Sequence, residues 1–233
     1  MRISTLLEWG AIFGIFLVAI LAVQNIGLIL PSSGSGGSGF TLDSLSASPA
    51  CMVPENGGFF QEPLSGSRPI TRQVDEWTFS ISPQFRYTII GRIVGKDTYS
   101  GGPENTLLPM DLTIANGDII RPEIFRYFTF QKTPRHYLYS YYAPAGSPRI
   151  SQQYAVEHTS NNHLIFANES LHQAAESLKV GDSVSIQGYL VTISGQTRDK
   201  RGTYYHGTST IRTDQGEGAC ETVYVESLER LNC

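Results

Sequence analysis

From Glu76 to Lys96 the chain reads "EWTFSISPQFRYTIIGRIVGK", and its apolar residues fall on alternate positions: Trp77, Phe79 and Ile81, then Tyr87 and Ile89 beyond Pro83. A period of two fits a strand, whose successive side chains point to opposite faces, and does not fit a helix. The stretch predicts one long strand or two in succession, with Gly91 permitting sharp coiling. "TLLPMDLTIANGD" predicts a second strand that ends in an Asn116-Gly117 turn. "HYLYSYY" and "HLIFAN" are short strands rich in aromatic and branched residues. The period then changes. "NESLHQAAESLKVGD" sets Leu171, Ala174, Ala175 and Leu178 on one helical face, with Asn168 or Ser170 as the cap and Gly181 just past the end. "SVSIQGYLVTIS" returns to alternation, and "GTSTIRT" and "ETVYVESLERL" complete the strands.

About seven strands beside one short helix predict a mainly β fold, an antiparallel barrel in preference to an α/β fold. The order narrows it further. A long first strand, hairpin strands, one helix and then "KVGDSVSIQGYL" resemble an OB-like barrel, in which the helix lies between the third and fourth strands. Residues 117–155 would then be an inserted segment.

The N-terminus constrains location. "WGAIFGIFLVAILAVQNIGLIL", Trp9 to Leu30, holds no charged residue, and a helix needs roughly 20 such residues to cross a bilayer. Arg2 precedes the span, and no Lys or Arg follows until Arg68, which orients the rest of the chain away from the cytoplasm. "PSSGSGGSG" and the Ser-, Gly- and Pro-rich residues after it suit a flexible tether. The expected organisation is a single-pass transmembrane anchor over residues 1–30, a tether over 31–71 and the OB-like domain over 72–233. The domain would be periplasmic or extracellular. In such an oxidising compartment two of Cys51, Cys220 and Cys233 could pair, and the sequence does not choose between Cys51–Cys220 and Cys220–Cys233.

The formal charge of −4 argues against a surface generally coated by nucleic acid. Locally, Arg121 to Arg149 mixes Arg126, Lys132 and Arg135 with many Phe and Tyr, the ingredients that single-strand binders use to stack bases and track phosphates. Arg198, Lys200 and Arg201 fall where an OB ligand loop would lie. The competing reading is a covered sheet with cations on its rim. His158 and His163 are five apart, an odd separation that points them to opposite faces of a strand, so no metal site is expected and no cofactor is implied. Ser209, His163 and Asp214 are the residue types of a nucleophilic triad, but no G-x-S-x-G elbow surrounds Ser209. Mutual hydrogen bonding among these groups is the preferred reading. Arg212 with Asp214 or Glu221 reads as an ion-pair network.

Three blocks carry a family resemblance: "LLPMDLTIANGD", "TSNNHLIFAN" and "TSTIRTDQGEGACETVYVE". The second is similar to a pattern S-A-N-M-H-I-I-P-A-N, and the third to S-S-L-T-R-x-D-T-G-x-G-A-C-E. Together they resemble an uncharacterised family of bacterial, N-terminally membrane-anchored proteins with no established activity. The matched positions include Asp111, Asn161, His163, Ala167, Asn168, Ser209, Arg212, Asp214, Gly216, Gly218, Cys220 and Glu221. The chain departs from the pattern at Phe166 and Ile211, and lacks a Gly-Trp-Gly after the first block. The resemblance implies that these residues form a unit and leaves the chemistry open.

The resulting expectation is a non-enzymatic binding or structural domain of the cell envelope, acting through a protein or ligand partner. Binding candidates are Asn161, His163, Ser209, Arg212, Asp214 and Glu221. Single-stranded nucleic-acid binding and a hydrolase using His163 with Ser209 or a metal are the alternatives.

Overall fold

A computed structural model describes residues 58–216 and 218–231. The expected membrane anchor, residues 31–57 of the tether, Cys51 and Cys233 lie outside the described residues. Among the described residues no helix is long and apolar enough to cross a membrane.

The fold is mainly β. In chain order its strands are β1 (Phe59–Pro63), β2 (Ile70–Val74), β3 (Trp77–Thr98), β4 (Met110–Ala115), β5 (Phe128–Thr133), β6 (His136–Tyr141), β7 (Thr159–Phe166), β8 (Ser183–Thr197), β9 (Thr203–His206) and β10 (Glu221–Leu231). Its helices are α1 (Gly102–Leu107), α2 (Pro122–Phe125), α3 (Gln152–Glu157) and α4 (Glu169–Ser177). Eight strands share one sheet, and β5–β6 form a separate hairpin. Residues 59–63 and 70–71, expected to belong to the tether, are instead strand. Phe59–Pro63 and Ile70–Val74 pair antiparallel with β3, which orders much of the Pro- and Gly-containing segment before Arg72.

Strand β3 runs the full 22 residues, and its register shifts between Pro83 and Phe85, where proline cannot donate to the ladder. It pairs with β8 along most of its length and with β4 at its end. Strand β4 pairs with β7, β7 with β10, and β10 with β8, so the pairings return to their start. All are antiparallel except β7–β10. That corrects the expectation of a wholly antiparallel sheet: α4 and β8 intervene between β7 and β10, and a crossover lets two strands run in the same direction. The single helix is also corrected to four short ones, three of them outside the stretch that carries the clear 3.6-residue period.

Two glycines make the close approach of these strands possible. A Cβ at Gly91 would stand 2.5 Å from the Ala115 carbonyl oxygen, and one at Gly188 would collide with the Tyr224 carbonyl. The alternation in β3, β4, β8 and β10 buries Tyr87, Ile89, Met110, Leu112, Ile114, Val184, Ile186, Leu190, Val223 and Val225 in one cluster. Helix α4 adds Ala175, and Leu178 just past its end, to it. The Asn168 side chain accepts from Leu171 N at 3.0 Å and caps this helix. Its C-terminus has no basic residue of its own. Lys96, from β3, donates instead to the carbonyls of Ala175, Glu176 and Leu178 at 2.7–3.0 Å, placing a cation where the helix dipole is negative. A second cluster, with Phe79, Ile81, Leu108, Ile165 and Ile193, lies on the opposite face of the strands.

Candidate functional site

Strand β7 is the place where sequence and environment disagree most. Thr159 to Ile165 are all buried, yet five of the seven are polar. Buried polar groups need partners, and each face of β7 supplies a separate network.

On the face shared with Leu164, Tyr87 donates to Asn162 Oδ1 at 2.8 Å, and Asn162 Nδ2 donates to the Leu112 carbonyl at 3.2 Å. Ser160 Oγ donates to Glu221 at 2.7 Å. The Arg212 guanidinium pairs with Glu221 and donates to the carbonyls of Glu157 and Thr159 at 3.1 and 3.3 Å. It also lies 3.9 Å from the centre of the Phe59 ring. Burial pushes the Glu221 carboxyl up, and the charge of Arg212 opposes that shift. All these donors but the buried Arg212 Nε, which has no partner among the described residues, are directed at other groups of the protein.

The other face carries Asn161 and His163, opposite Thr113 and Asp111 of β4. Asp111 is fully buried. One of its oxygens meets His163 Nδ1 at 2.8 Å and Arg135 Nη1 at 3.0 Å. The other accepts from Tyr99 at 2.9 Å and from Lys132 at 3.5 Å. Burial alone would raise the Asp111 carboxyl, but the His163 hydrogen bond and the charges of His163, Lys132 and Arg135 hold it below its usual range. Lys132 also donates to Asn161 Oδ1 at 2.9 Å. Asn161 Nδ2 in turn reaches Cys220 Sγ at 3.5 Å. The Cys220 thiol donates to the Arg135 carbonyl at 3.8 Å. Burial pulls the His163 pKa down, but the Asp111 hydrogen bond, with a smaller contribution from Cys220, outweighs burial and pushes it up to about 9. The His206 ring stands edge-on to His163 at 5.4 Å, and burial followed by the His163 charge keeps it low. His163, Asp111, Lys132, Asn161 and Cys220 thus form one connected group on this face.

The β5–β6 turn supplies the cations. Its two loop residues are Pro134 and Arg135, and Arg135 takes a φ of 62°, a conformation that non-glycine residues seldom adopt. The contacts that fix it are local and numerous. Arg135 N donates to the Tyr99 hydroxyl at 2.8 Å, the guanidinium donates to Asn105 and to the Leu108 carbonyl, and its centre lies 3.8 Å from that of the Tyr99 ring.

The structure therefore joins Asn161 with His163, and Arg212 with Glu221, while separating other expected pairs. The segment "GTSTIRT" is not a strand; β9 ends at His206. Ser209 and Asp214 sit in the loop before β10, where Ser209 Oγ donates to Asp214 at 2.6 Å and Ile211 N donates to Ser209 Oγ. Ser209 makes no hydrogen bond to His163, so the serine triad is not assembled, and Asp214 serves Ser209, not Arg212. His158 caps the end of α3 and stacks on Tyr154 with ring centres 3.7 Å apart, away from the His163 network. Among the described residues no His, Cys, Asp and Glu side chains group to hold a metal. Cys220 is a free thiol among the described residues.

Of the expected phosphate-tracking cations, Lys132 and Arg135 are committed to Asp111. Arg126 is exposed, with its Nε donating to the Pro122 carbonyl at 3.3 Å. Arg198, Lys200 and Arg201 are exposed in the turn between β8 and β9. Asp111 and Cys220 belong among the site residues ahead of Ser209 and Asp214. Asp111 was legible as the lone acid in an otherwise apolar-and-threonine strand, whereas nothing local marks Cys220 as the neighbour of Asn161.

A cleft of about 330 Å³ opens beside this network, lined by Trp77, Phe79, Gly101 to Asn105 and Tyr204. Trp77 stacks on Phe79 at 10°, while Tyr204 meets Phe79 at 90°, so the Trp77 and Tyr204 rings form walls at nearly right angles. The Tyr204 hydroxyl donates to Glu104 at 3.4 Å, which puts a carboxylate at the rim.

Fold and site define a mainly β protein with one large mixed sheet, a buried Asp111–His163 pair and an adjoining aromatic cleft. Comparison with family models, curated proteins and solved structures found no match for the chain.

Proposed function

We propose that the chain is a binding protein of the cell envelope whose OB-like barrel engages a ligand or partner protein in the cleft walled by Trp77 and Tyr204. The OB-like assignment is supported by the pairing sequence β3–β4–β7–β10–β8–β3, by the parallel β7–β10 contact, and by α4 between β7 and β8. Under that assignment the cleft lies between the loop joining the first two barrel strands and the connection after the fourth, the usual OB ligand position. The apolar N-terminal segment would anchor the domain on the outer side of the cytoplasmic membrane.

The single observation that carries the reading is the cleft itself. Its volume falls within the range of small-molecule sites, and aromatic walls with a few polar groups, here Glu104, Asn105 and the Tyr204 hydroxyl, are the usual composition of such sites. Perpendicular aromatic rings with a carboxylate at the rim suit a cationic group, because the ring faces are electron-rich. Titration of Trp77 fluorescence in a Trp9→Phe chain, with tetramethylammonium as probe, tests this. Saturable quenching that is lost in Tyr204→Ala is expected; unsaturable quenching, or quenching unchanged by that substitution, would remove the cleft as the binding site.

Binding of single-stranded nucleic acid is a second reading, supported by the exposed Arg198, Lys200 and Arg201 next to Tyr205, which is 74% exposed. Anisotropy of labelled oligonucleotides should then rise with protein concentration and fall steeply with salt, since phosphate contacts release counterions. Absent or salt-independent binding would eliminate it.

A further inference from the structure

We infer that the outer face of the β5–β6 hairpin docks on an anionic lipid bilayer. The inference rests on the membrane-anchored part of the reading above and does not use the aromatic cleft. The hairpin stands apart from the eight-stranded sheet, and its antiparallel register sorts its side chains onto two faces. One face carries Phe128, Phe130, Tyr139 and Tyr141, which pack into a third apolar cluster with Ile119 and Ile124. The other carries Thr129, Gln131, Leu138 and Ser140, all exposed. Tyr142 N donates to the Tyr127 carbonyl at 3.0 Å, which extends the ladder by one pair and sets Tyr142 on the outer face as well. Leu138 is 59% exposed and Tyr142 81%. The outer-face positions of the two strands hold no Asp, Glu, Lys or Arg.

Two cations flank the Tyr142 end of this face. Arg149 Nη2 donates to the Ala143 carbonyl at 3.0 Å, beside Tyr142, and the Arg126 guanidinium centre lies 6.0 Å from the centre of the Tyr127 ring. The Tyr127 hydroxyl donates to Ser147 at 3.0 Å, so the loop that carries Arg149 closes over the same corner. Both arginines are exposed, and among the described residues neither forms an ion pair: Glu123, the acid nearest to Arg126 in the chain, binds Arg121 instead.

This combination fits a phospholipid headgroup layer. Guanidinium forks match phosphate oxygens, a tyrosine ring is amphipathic and suits headgroup depth, and a leucine can enter the apolar boundary beneath. Single-stranded nucleic acid, the other partner of cations mixed with rings, needs several ring faces on which successive bases stack. Of the rings from Phe125 to Tyr142 only Tyr142 is exposed, because the others pack inward and against one another. The formal charge of −4 opposes approach by the molecule as a whole, which leaves an acid-free corner as the route to an anionic surface. Two cations attract only weakly, about fivefold each. That suffices for a domain joined to an anchor, since attachment in one chain makes the second contact intramolecular.

The test places the full-length chain in lipid nanodiscs of phosphatidylcholine alone, or of phosphatidylcholine and phosphatidylglycerol in equal parts, and reads side-chain exposure by hydroxyl-radical labelling with peptide mass spectrometry. Co-elution with neutral discs reports on the anchor by itself; the change at Tyr142 between the two lipids reports on the hairpin, so each can fail alone. Tyr142 labelling should fall at least about fivefold in the anionic discs, the share of one cation, and should recover in high salt, which screens exposed charges. Tyr205, 74% exposed on β9, should be labelled equally in both. Arg126→Gln combined with Arg149→Gln should abolish the fall, with an unchanged Tm showing that the fold is intact. Equal labelling of Tyr142 in both discs, or protection that survives the double substitution in a folded chain, would overturn the proposal. So would protection of Tyr142 by a single-stranded oligonucleotide in place of lipid, which would assign the face to nucleic acid.

Discussion

Replacing Asp111 with Asn would remove the carboxylate that faces His163, Lys132 and Arg135, while keeping nearly the same shape. Asp111 is fully buried, and its two oxygens take hydrogen bonds at 2.8, 2.9 and 3.0 Å with a fourth contact at 3.5 Å. Removing one member of a buried charge cluster leaves the others uncompensated, at a cost of about 3–5 kcal/mol. The same substitution should change how stability depends on pH. In the folded chain His163 is raised to about 9 from 6.5. Its contribution is therefore complete below about 6.5 and is lost as pH climbs through 9, a total on the order of 3 kcal/mol. Asp111, held below its usual range, adds stability that is present above its unfolded value of 3.8 and is lost as pH falls through its lower folded value. Urea unfolding followed by far-UV circular dichroism at pH 6, 8 and about 10 measures both effects, and a Cys220→Ser chain isolates the share of the thiol. Wild type should weaken from pH 6 to about 10, and Asp111→Asn should start lower and show a shallower slope. An Asp111→Asn chain that loses less than about 1 kcal/mol and keeps the wild-type slope would refute the reasoning, because surface pairs behave that way.

Other substitutions probe the frame around the site. Arg212→Ala should cost about 3–5 kcal/mol by stranding Glu221, and adding Glu221→Gln should recover part of the loss, read as non-additivity in a double-mutant cycle. Gly188→Ala drives a Cβ into the Tyr224 carbonyl; a cost of about 2 kcal/mol should lower Tm by about 4–8 °C, and an unchanged Tm would mean that β8 and β10 can separate freely there. Asn168→Ala deletes the cap of α4 and should cost about 1 kcal/mol, whereas Ser170→Ala, at the other expected cap position, should change thermal stability little.

Much of this architecture was legible because its causes are local. Side-chain alternation depends only on neighbours two apart, so β3, β4, β8 and β10 could be read from their own residues, as could the 3.6-residue period of α4 and its Asn168 cap. The short helices α1, α2 and α3 were not, since four to six residues hold too little pattern to stand above the surrounding loops. Strand β7 was read from its apolar half only. Within its polar half, Ser160 to Asn162 are strand because partners far away in sequence satisfy their side chains: Tyr87, Thr113, Lys132 and Glu221.

The site divides in the same way. An ion pair of Arg212 could be anticipated, but its choice of Glu221 over the nearer Asp214 could not. The assignment of Ser209 to Asp214 depended on a loop conformation, and the diversion of Lys132 and Arg135 from the rim to Asp111 depended on how the β5–β6 turn folds over the sheet. The sequence by itself determined which segments alternate, where the helical period sits, and that a 22-residue uncharged span precedes them. Only the tertiary structure decided that β7 runs parallel to β10, which brings Cys220 beside Asn161 at a sequence separation of 59. Alternation specifies which face a side chain takes, whereas proximity across strands is set by register and by crossover connections, which no local pattern encodes.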